Sequence, residues 1–147
     1  MITEMDMKHL RRCVELARTA LEAGDEPFGS VLISADGDVL MEDHNHVAGG
    51  DHTQHPEFAI ARWAAQNMSP EDRSRATVYT SGEHCPMCAA AHGWAGLGRI
   101  VYASSSEQLA SWLSEWGIAP SRVRNLPIQD VIRDCAVDGP VPALAEE

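Results

Sequence analysis

The chain has 147 residues, 44% of them hydrophobic, enough for a single domain over residues 1–147 with a sizeable core and too few for two ordinary ones. Twenty-two Asp and Glu against eleven Lys and Arg give a formal net charge of −11. A chain this acidic repels polyanions unless its basic residues cluster, which disfavours free nucleic acid as a partner. No apolar run approaches the ~18 residues that span a bilayer, and Met1 to Arg12 is amphipathic with charges of both signs rather than basic and then apolar. These features predict a soluble cytoplasmic protein with no membrane partner.

From Met5 to Ala23, Leu10, Val14, Ala17 and Leu21 recur at steps of four, three and four, the spacing of an amphipathic helix, and Gly24 stops it. Ser30 to Ser34 and Val39 to Met41 are apolar runs joined through Asp36-Gly37, which predicts an antiparallel hairpin. Asp43 to Gln54 has almost no apolar content and reads as a loop beside the core, where function concentrates. A helix then opens near Pro56 with Phe58, Ala61, Ala65 and Met68 as its apolar stripe and ends at Ser69-Pro70.

Thr77 to Thr80 reads as a third strand and Pro86 to Leu97 as a helix with Met87, Ala90, Ala91 and Trp94 on one side. Ile100 to Ala103 is a fourth strand, Glu107 to Trp116 a helix, and Val123 to Leu126 a weaker fifth strand. Strand, helix, strand order favours a parallel pairing of the last two strands. Val137 to Glu147 carries Gly139-Pro140-Val141-Pro142 and reads as an irregular tail docked on the surface. The expected fold is a small α/β domain, one mixed sheet of about five strands with helices on both faces.

The four cysteines lie at positions 13, 85, 88 and 135. Cys13 shares a helix face with Leu10, Ala17 and Leu21 and reads as core, while Cys135 carries no signal. The other two belong to Cys85-Pro86-Met87-Cys88, which with His55-Pro56-Glu57 supplies two thiols, an imidazole and a carboxylate, each segment opening a helix. Nitrogen and sulfur ligands suit tetrahedral zinc, and three protein ligands leave a fourth position for water, as in a catalytic site. Taken alone, C-x-x-C is as well a redox pair or half a structural site, and H-x-E says little. Their combination matches the zinc deaminase pattern, in which the glutamate is an acid/base and not a ligand.

On these residues the chain resembles the cytidine and purine deaminase superfamily, closest to the branch containing bacterial guanine deaminases and tRNA adenosine deaminases. The likeness extends to Glu26-Pro27-Phe28-Gly29, Asn45, Thr53 to Glu57, Thr80 to Cys88, and Gly98 to Tyr102. It departs where the family usually has Glu-Pro-Cys and His-Ala-Glu; here stand Glu83-His84-Cys85 and His55-Pro56-Glu57. The resemblance implies a three-layer α/β/α fold, one zinc ion per subunit held by His55, Cys85 and Cys88, and a homodimer. It also implies hydrolytic release of ammonia from an aminated ring, with Glu57 shuttling protons and the metal lowering the pKa of a water toward ~7.

For the substrate, the resemblance assigns Asn45 to a ring hydrogen bond and Phe28 to its face; taken alone, these read as a turn residue and a core residue. His84 is either a substrate contact or a solvated loop histidine. Trp94 stands where guanine deaminase-like members have tryptophan and would be a pocket wall, core packing accounting for it equally well. The tail resembles a segment that closes over the site in free-base deaminases, which makes Glu146 or Glu147 a candidate contact. Charge and tail favour a small nucleobase-like substrate such as guanine, cytosine, isocytosine or an amino-s-triazine. The alternatives are a tRNA adenosine or nucleoside deaminase, a non-catalytic zinc domain, and a thiol redox protein built on Cys85 and Cys88.

Overall fold

The computed structural model describes residues 2–119 and 121–145. It opens with α1 (Glu4–Glu22), whose first turn is closed by a reciprocal cap: Thr3 accepts the Asp6 N–H and the Asp6 carboxylate accepts the Thr3 N–H. Gly24, at φ 88°, then turns the chain in a conformation glycine adopts without strain. Strands β1 (Gly29–Ile33) and β2 (Val39–His44) form the expected hairpin, with a register shift between Leu32 and Ile33. A 3-10 turn (Val47–Gly49) leads to α2 (Pro56–Asn67), followed by α3 (Pro70–Arg75), β3 (Thr77–Gly82), α4 (Pro86–Ala95), β4 (Ile100–Ser104) and α5 (Ser106–Glu115). After a second 3-10 turn (Ile128–Asp130) come β5 (Val137–Asp138) and α6 (Pro142–Ala145).

The sheet order is β2-β1-β3-β4-β5, antiparallel across β2, β1 and β3 and parallel across β3, β4 and β5. Alternate residues feed two layers. Val31, Ile33, Tyr79, Val101 and Ala103 pack on Leu10, Cys13 and Val14 of α1. Leu32 and Val78 pack on Ile60, Ala61 and Ala64 of α2. Ile100 and Tyr102 meet Ile128 at the far side. Each fully buried Leu or Ile contributes roughly 1.5–3 kcal/mol by leaving water, and these side chains fix which face of each helix turns inward. Gly29 is required by close approach: a Cβ there would lie 2.4 Å from the Cys13 carbonyl oxygen and 2.5 Å from Leu16 Cβ.

A buried ion network staples α1 to the sheet. Asp6 accepts from Tyr79 Oη at 2.6 Å and from Arg99 Nη1 at 3.0 Å, and Arg99 also reaches Asp138 of β5. Burial alone would raise the Asp6 carboxyl, but the Arg99, Tyr79 and Thr3 hydrogen bonds outweigh it and hold the group below its ordinary range. Among the described residues no helix is long and apolar enough to cross a membrane.

Three expectations are corrected. The fifth strand is Val137–Asp138, inside the segment read as an irregular tail, not Val123 to Leu126, where Val123 is 55% and Leu126 42% exposed. The edge slot beside β4 goes to the segment that brings Asp138 to Arg99 and seats Val137 against the Ile100 cluster. Ser69-Pro70 ends α2 but also begins α3, with the Ser69 hydroxyl accepting the Asp72 N–H. The stripe expected on α2 holds in part and that on α4 is rotated: on α2 Ala61 is buried and Met68 packs on the same cluster as expected, with Ile60 and Ala64 beside them and Ala65 exposed, while on α4 the inward residues are Cys88, Ala89, His92 and Ala95, leaving Trp94 exposed.

Candidate active site

Two helix N-termini meet at the site. His55 is the N-cap residue of α2 and Cys85 that of α4, each followed by proline at the first helical position, where the absent N–H costs nothing. Cys88 follows one turn into α4, so its sulfur returns to the side of Cys85. His55 Nδ1 lies 3.5 Å from both sulfurs. Nitrogen and sulfur donors of a tetrahedral zinc, at ~2.0 and ~2.3 Å from the metal, stand ~3.5 Å apart. The three donors could hold one zinc ion with little movement.

Their protons agree with a cation there. The Cys88 thiol donates to the Cys85 sulfur and, with His55, draws the Cys85 thiol well below its ordinary range against the cost of burial. The same sharing with Cys85, followed by burial and the Glu57 carboxylate, drives Cys88 upward. Zinc takes sulfur as thiolate, so an ion held here would displace the thiol protons.

Glu57 is 6% exposed on the first turn of α2. Burial raises its pKa, and hydrogen bonds from Thr80 and Ser30 oppose the rise. Both hydroxyls lie 2.9 Å from the same oxygen, Oε1, and 2.9 Å from each other, which fixes the carboxyl and leaves Oε2 outside the pair. Neither Ser30 nor Thr80 stood out in the sequence. The available signal was a polar residue inside the buried run Gly29–Ile33 and a threonine at the inner end of β3.

Asn45 is 1% exposed. Its Oδ1 accepts the N–H groups of Val47 and Glu26, which sets the amide orientation, and its Nδ2 is buried without a partner among the described residues. Phe28 is half-buried with its ring over Gly82 at the end of β3, facing an apolar groove shared with Leu109, Trp112 and Leu144. That groove and Cys85 both lie past the C-terminal ends of the parallel strands β3 and β4, the sheet edge where open α/β sheets bind ligands.

His84 is not a solvated loop histidine: it is 1% exposed, edge-on to His92 with ring centroids 5.4 Å apart. Burial, then His92, holds it neutral, and both ring nitrogens lack a partner among the described residues. Its neighbour Glu83 is a clamp that sequence reading missed, accepting the N–H groups of Ser106 at 2.9 Å and Ile128 at 2.7 Å. Trp94 is 91% exposed on the outer face of α4, so core packing does not account for it. Glu146 and Glu147 lie outside the described residues.

Residues 3–104 match the family model for the cytidine and deoxycytidylate deaminase zinc-binding region. The chain belongs to this family. It is 31% identical over 119 residues to a probable cytosine deaminase of Schizosaccharomyces pombe, covering 81% of this chain and 72% of that one. It is 32% identical over 130 residues to the guanine deaminase of Bacillus subtilis, covering 83% of each. It is also 32% identical over 104 residues to the tRNA-specific adenosine deaminase of Haemophilus influenzae, covering 70% of this chain and 60% of that one. The solved structure of the Bacillus subtilis guanine deaminase superposes with a TM-score of 0.61 at 30% identity over 82% of each chain. The family's zinc requirement agrees with the His55, Cys85 and Cys88 donor set.

Proposed function

We propose that this chain is a zinc-dependent hydrolase that removes the exocyclic amino group of a free nucleobase or similar aminated ring, with His55, Cys85 and Cys88 as ligands and Glu57 as the proton carrier. The observation that carries the reading is the Glu57 carboxyl, buried two residues from His55 and held by Ser30 and Thr80. Zinc in this donor set supplies Lewis-acid activation of a water. Glu57 receives the proton that the attacking water loses and passes it to the ring nitrogen beside the amino-bearing carbon. It then carries the remaining water proton to the amino group, which leaves as ammonia while the oxygen stays on the ring. Burial raises the carboxyl's affinity for a proton, in the direction that this alternation needs, and the paired hydroxyls keep Oε1 still while the other oxygen works.

Asn45 supports a ring ligand. With Oδ1 engaged, its unpartnered Nδ2 can only donate, and a ring carbonyl or ring nitrogen would recover the roughly 1–3 kcal/mol that an unsatisfied buried donor costs. Phe28 would cover a ring face, and the unpartnered nitrogens of His84 are the one departure from the family pattern that adds polar atoms beside the metal ligands. Glu147 remains a proposed second contact. The charge of −11 supports a small substrate over tRNA, whose recognition needs phosphate contacts. We also propose a homodimer, supported by Trp94, an aromatic side chain 91% exposed on α4 that a second copy could bury.

Ammonia release from zinc-loaded protein over free bases, ring analogues, nucleosides and an anticodon stem-loop tests the reading, with Glu57→Gln as control. Turnover of a free base that falls by ~10²–10⁴ or more in the variant, with zinc content unchanged, is expected. Turnover of the stem-loop alone would overturn the substrate assignment, and full activity in the variant would overturn the mechanism.

A further inference from the structure

A second group of metal-binding side chains lies away from His55, Cys85 and Cys88. Asp25, in the turn between α1 and β1, and His44 and His46, at the end of β2, each offer a ligand atom within 4.8 Å of the other two. The turn carrying Asp25 and the loop carrying the histidines are already joined, since Ala48 N–H donates to Asp25 Oδ1 at 2.9 Å and Glu26 N–H to Asn45 Oδ1 at 3.3 Å. The imidazoles lie against each other, centroids 4.4 Å apart and tilted by 37°.

Hydrogen bonding sets the tautomer of each ring. His44 Nδ1 lies 3.0 Å from the Asn45 carbonyl oxygen, an acceptor only, so Nδ1 carries the proton and Nε2 keeps its lone pair. His46 Nε2 lies 3.0 Å from Asp43 Oδ1, so that nitrogen donates and Nδ1 keeps the lone pair. Metal-bound histidines are held in this way, one ring N–H given to a carbonyl or carboxylate and the other nitrogen left to ligate. Asp25 uses Oδ1 for Ala48 and has Oδ2 remaining. Each of the three side chains thus keeps one acceptor atom that these hydrogen bonds leave available to a cation.

We propose that Asp25, His44 and His46 bind a second divalent transition-metal ion, of the class that takes two imidazoles and one carboxylate, with zinc as the simplest occupant. Donors at ~2.0–2.1 Å from a tetrahedral zinc stand ~3.3 Å apart, so separations of up to 4.8 Å close by at most about 1.5 Å when the ion enters. The exposed His46 ring can supply that movement, its side chain being 49% accessible. With one carboxylate and no thiolate, this site binds more weakly than the first and fills second. Once filled, it ties the α1–β1 turn to the loop holding Asn45, without depending on what that residue contacts.

The test is metal per chain after equilibrium dialysis of the full-length protein against rising zinc, repeated with cobalt as a spectroscopic probe. Two equivalents are expected, the first giving the thiolate charge-transfer band of a cysteine site and the second only the weak visible bands of nitrogen and oxygen ligands. His46→Ala and Asp25→Asn, both at accessible positions, should each weaken the second equivalent at least tenfold and leave the first unchanged. His52→Ala, an exposed histidine of the same loop outside the group, should bind both. A single equivalent in the unaltered protein, undiminished second binding in either ligand variant, or its loss in His52→Ala would overturn the proposal. All these readouts are independent of turnover, so failure here leaves the deaminase reading standing, and the reverse holds too.

Discussion

Replacing Thr80 by valine preserves shape on β3 and removes one of the two hydroxyls that hold Glu57. The hydroxyl lies 2.9 Å from Glu57 Oε1 in a fully buried setting, and a hydrogen bond to a charged group contributes roughly 1.5–3 kcal/mol. If all of that is felt in the transition state, kcat falls by about tenfold to about 150-fold, at roughly 1.4 kcal/mol per factor of ten. KM should hardly change, because the contact positions the proton carrier rather than the ring. The pH profile should move as well. The Thr80 bond favours the charged carboxylate, so removing it raises the Glu57 pKa further, and the acid limb of kcat/KM shifts to higher pH. Steady-state ammonia release from pH 5 to pH 9 measures both effects. A variant with kcat within about threefold of the parent and an unmoved acid limb would refute the idea that Thr80 orients the carboxyl.

Three further outcomes follow from the packing and the charges. Arg99→Leu leaves the buried Asp6 carboxylate without its cation and should cost roughly 3–5 kcal/mol in urea unfolding at pH 7. Because Asp6 is depressed in the folded state, its contribution is present above the ordinary carboxylate pKa of ~3.9 and is lost as pH falls through the depressed value, so the variant should unfold at higher pH than the parent on acid titration. Gly29→Ala sets a methyl against the Cys13 carbonyl and Leu16, backbone that cannot give way, and should cost about 3 kcal/mol or more; a melting temperature within ~2 °C of the parent would contradict it. Chelation should expose Cys85 and Cys88 to alkylation while Cys13, fully buried and with its thiol pKa pushed up, stays unreactive, as mass mapping of the labelled peptides would record.

The first helix, the hairpin and the third and fourth strands were legible because each carries its own period, and the donor group that could hold zinc because three residue types at two spacings narrow the chemistry sharply. What stayed hidden depended on partners distant in sequence. Val137–Asp138 becomes a strand because Arg99, thirty-nine positions earlier than Asp138, pulls the chain to the edge beside β4. Val123 to Leu126 has better strand composition and no such tie. Ser30 and Thr80 read locally as a strand's polar residue and a good strand former; only their pairing across β1 and β3, which puts both hydroxyls on Glu57, gives them a role. Glu83 was invisible for the same reason, since its two N–H donors come from positions 106 and 128.

The inward faces of α2 and α4 have one common cause. A helix's inward face is normally chosen by its apolar residues, but here the first turn of each helix is pinned by a polar group that must face the site: Glu57 on α2, Cys88 on α4. Helical steps from those anchors then dictate Ile60, Ala61 and Ala64 on one helix and His92 and Ala95 on the other, whatever the rest of the pattern prefers. Of the residues that the sequence marks as a stripe on α4, Met87, Ala90 and Ala91 are half-buried, Ala91 packing against the cluster under α2, while Trp94 ends almost wholly in water. Tryptophan is among the side chains that interfaces favour, and a second copy could bury this one. The same rotation that aims the Glu57 carboxyl and the Cys88 sulfur inward thus presents an exposed aromatic side chain on the far side of α4. This is why the homodimer is proposed through α4: a Trp94→Glu variant measured by light scattering should be monomeric, and an unchanged dimer would mean that the outward stripe serves something else.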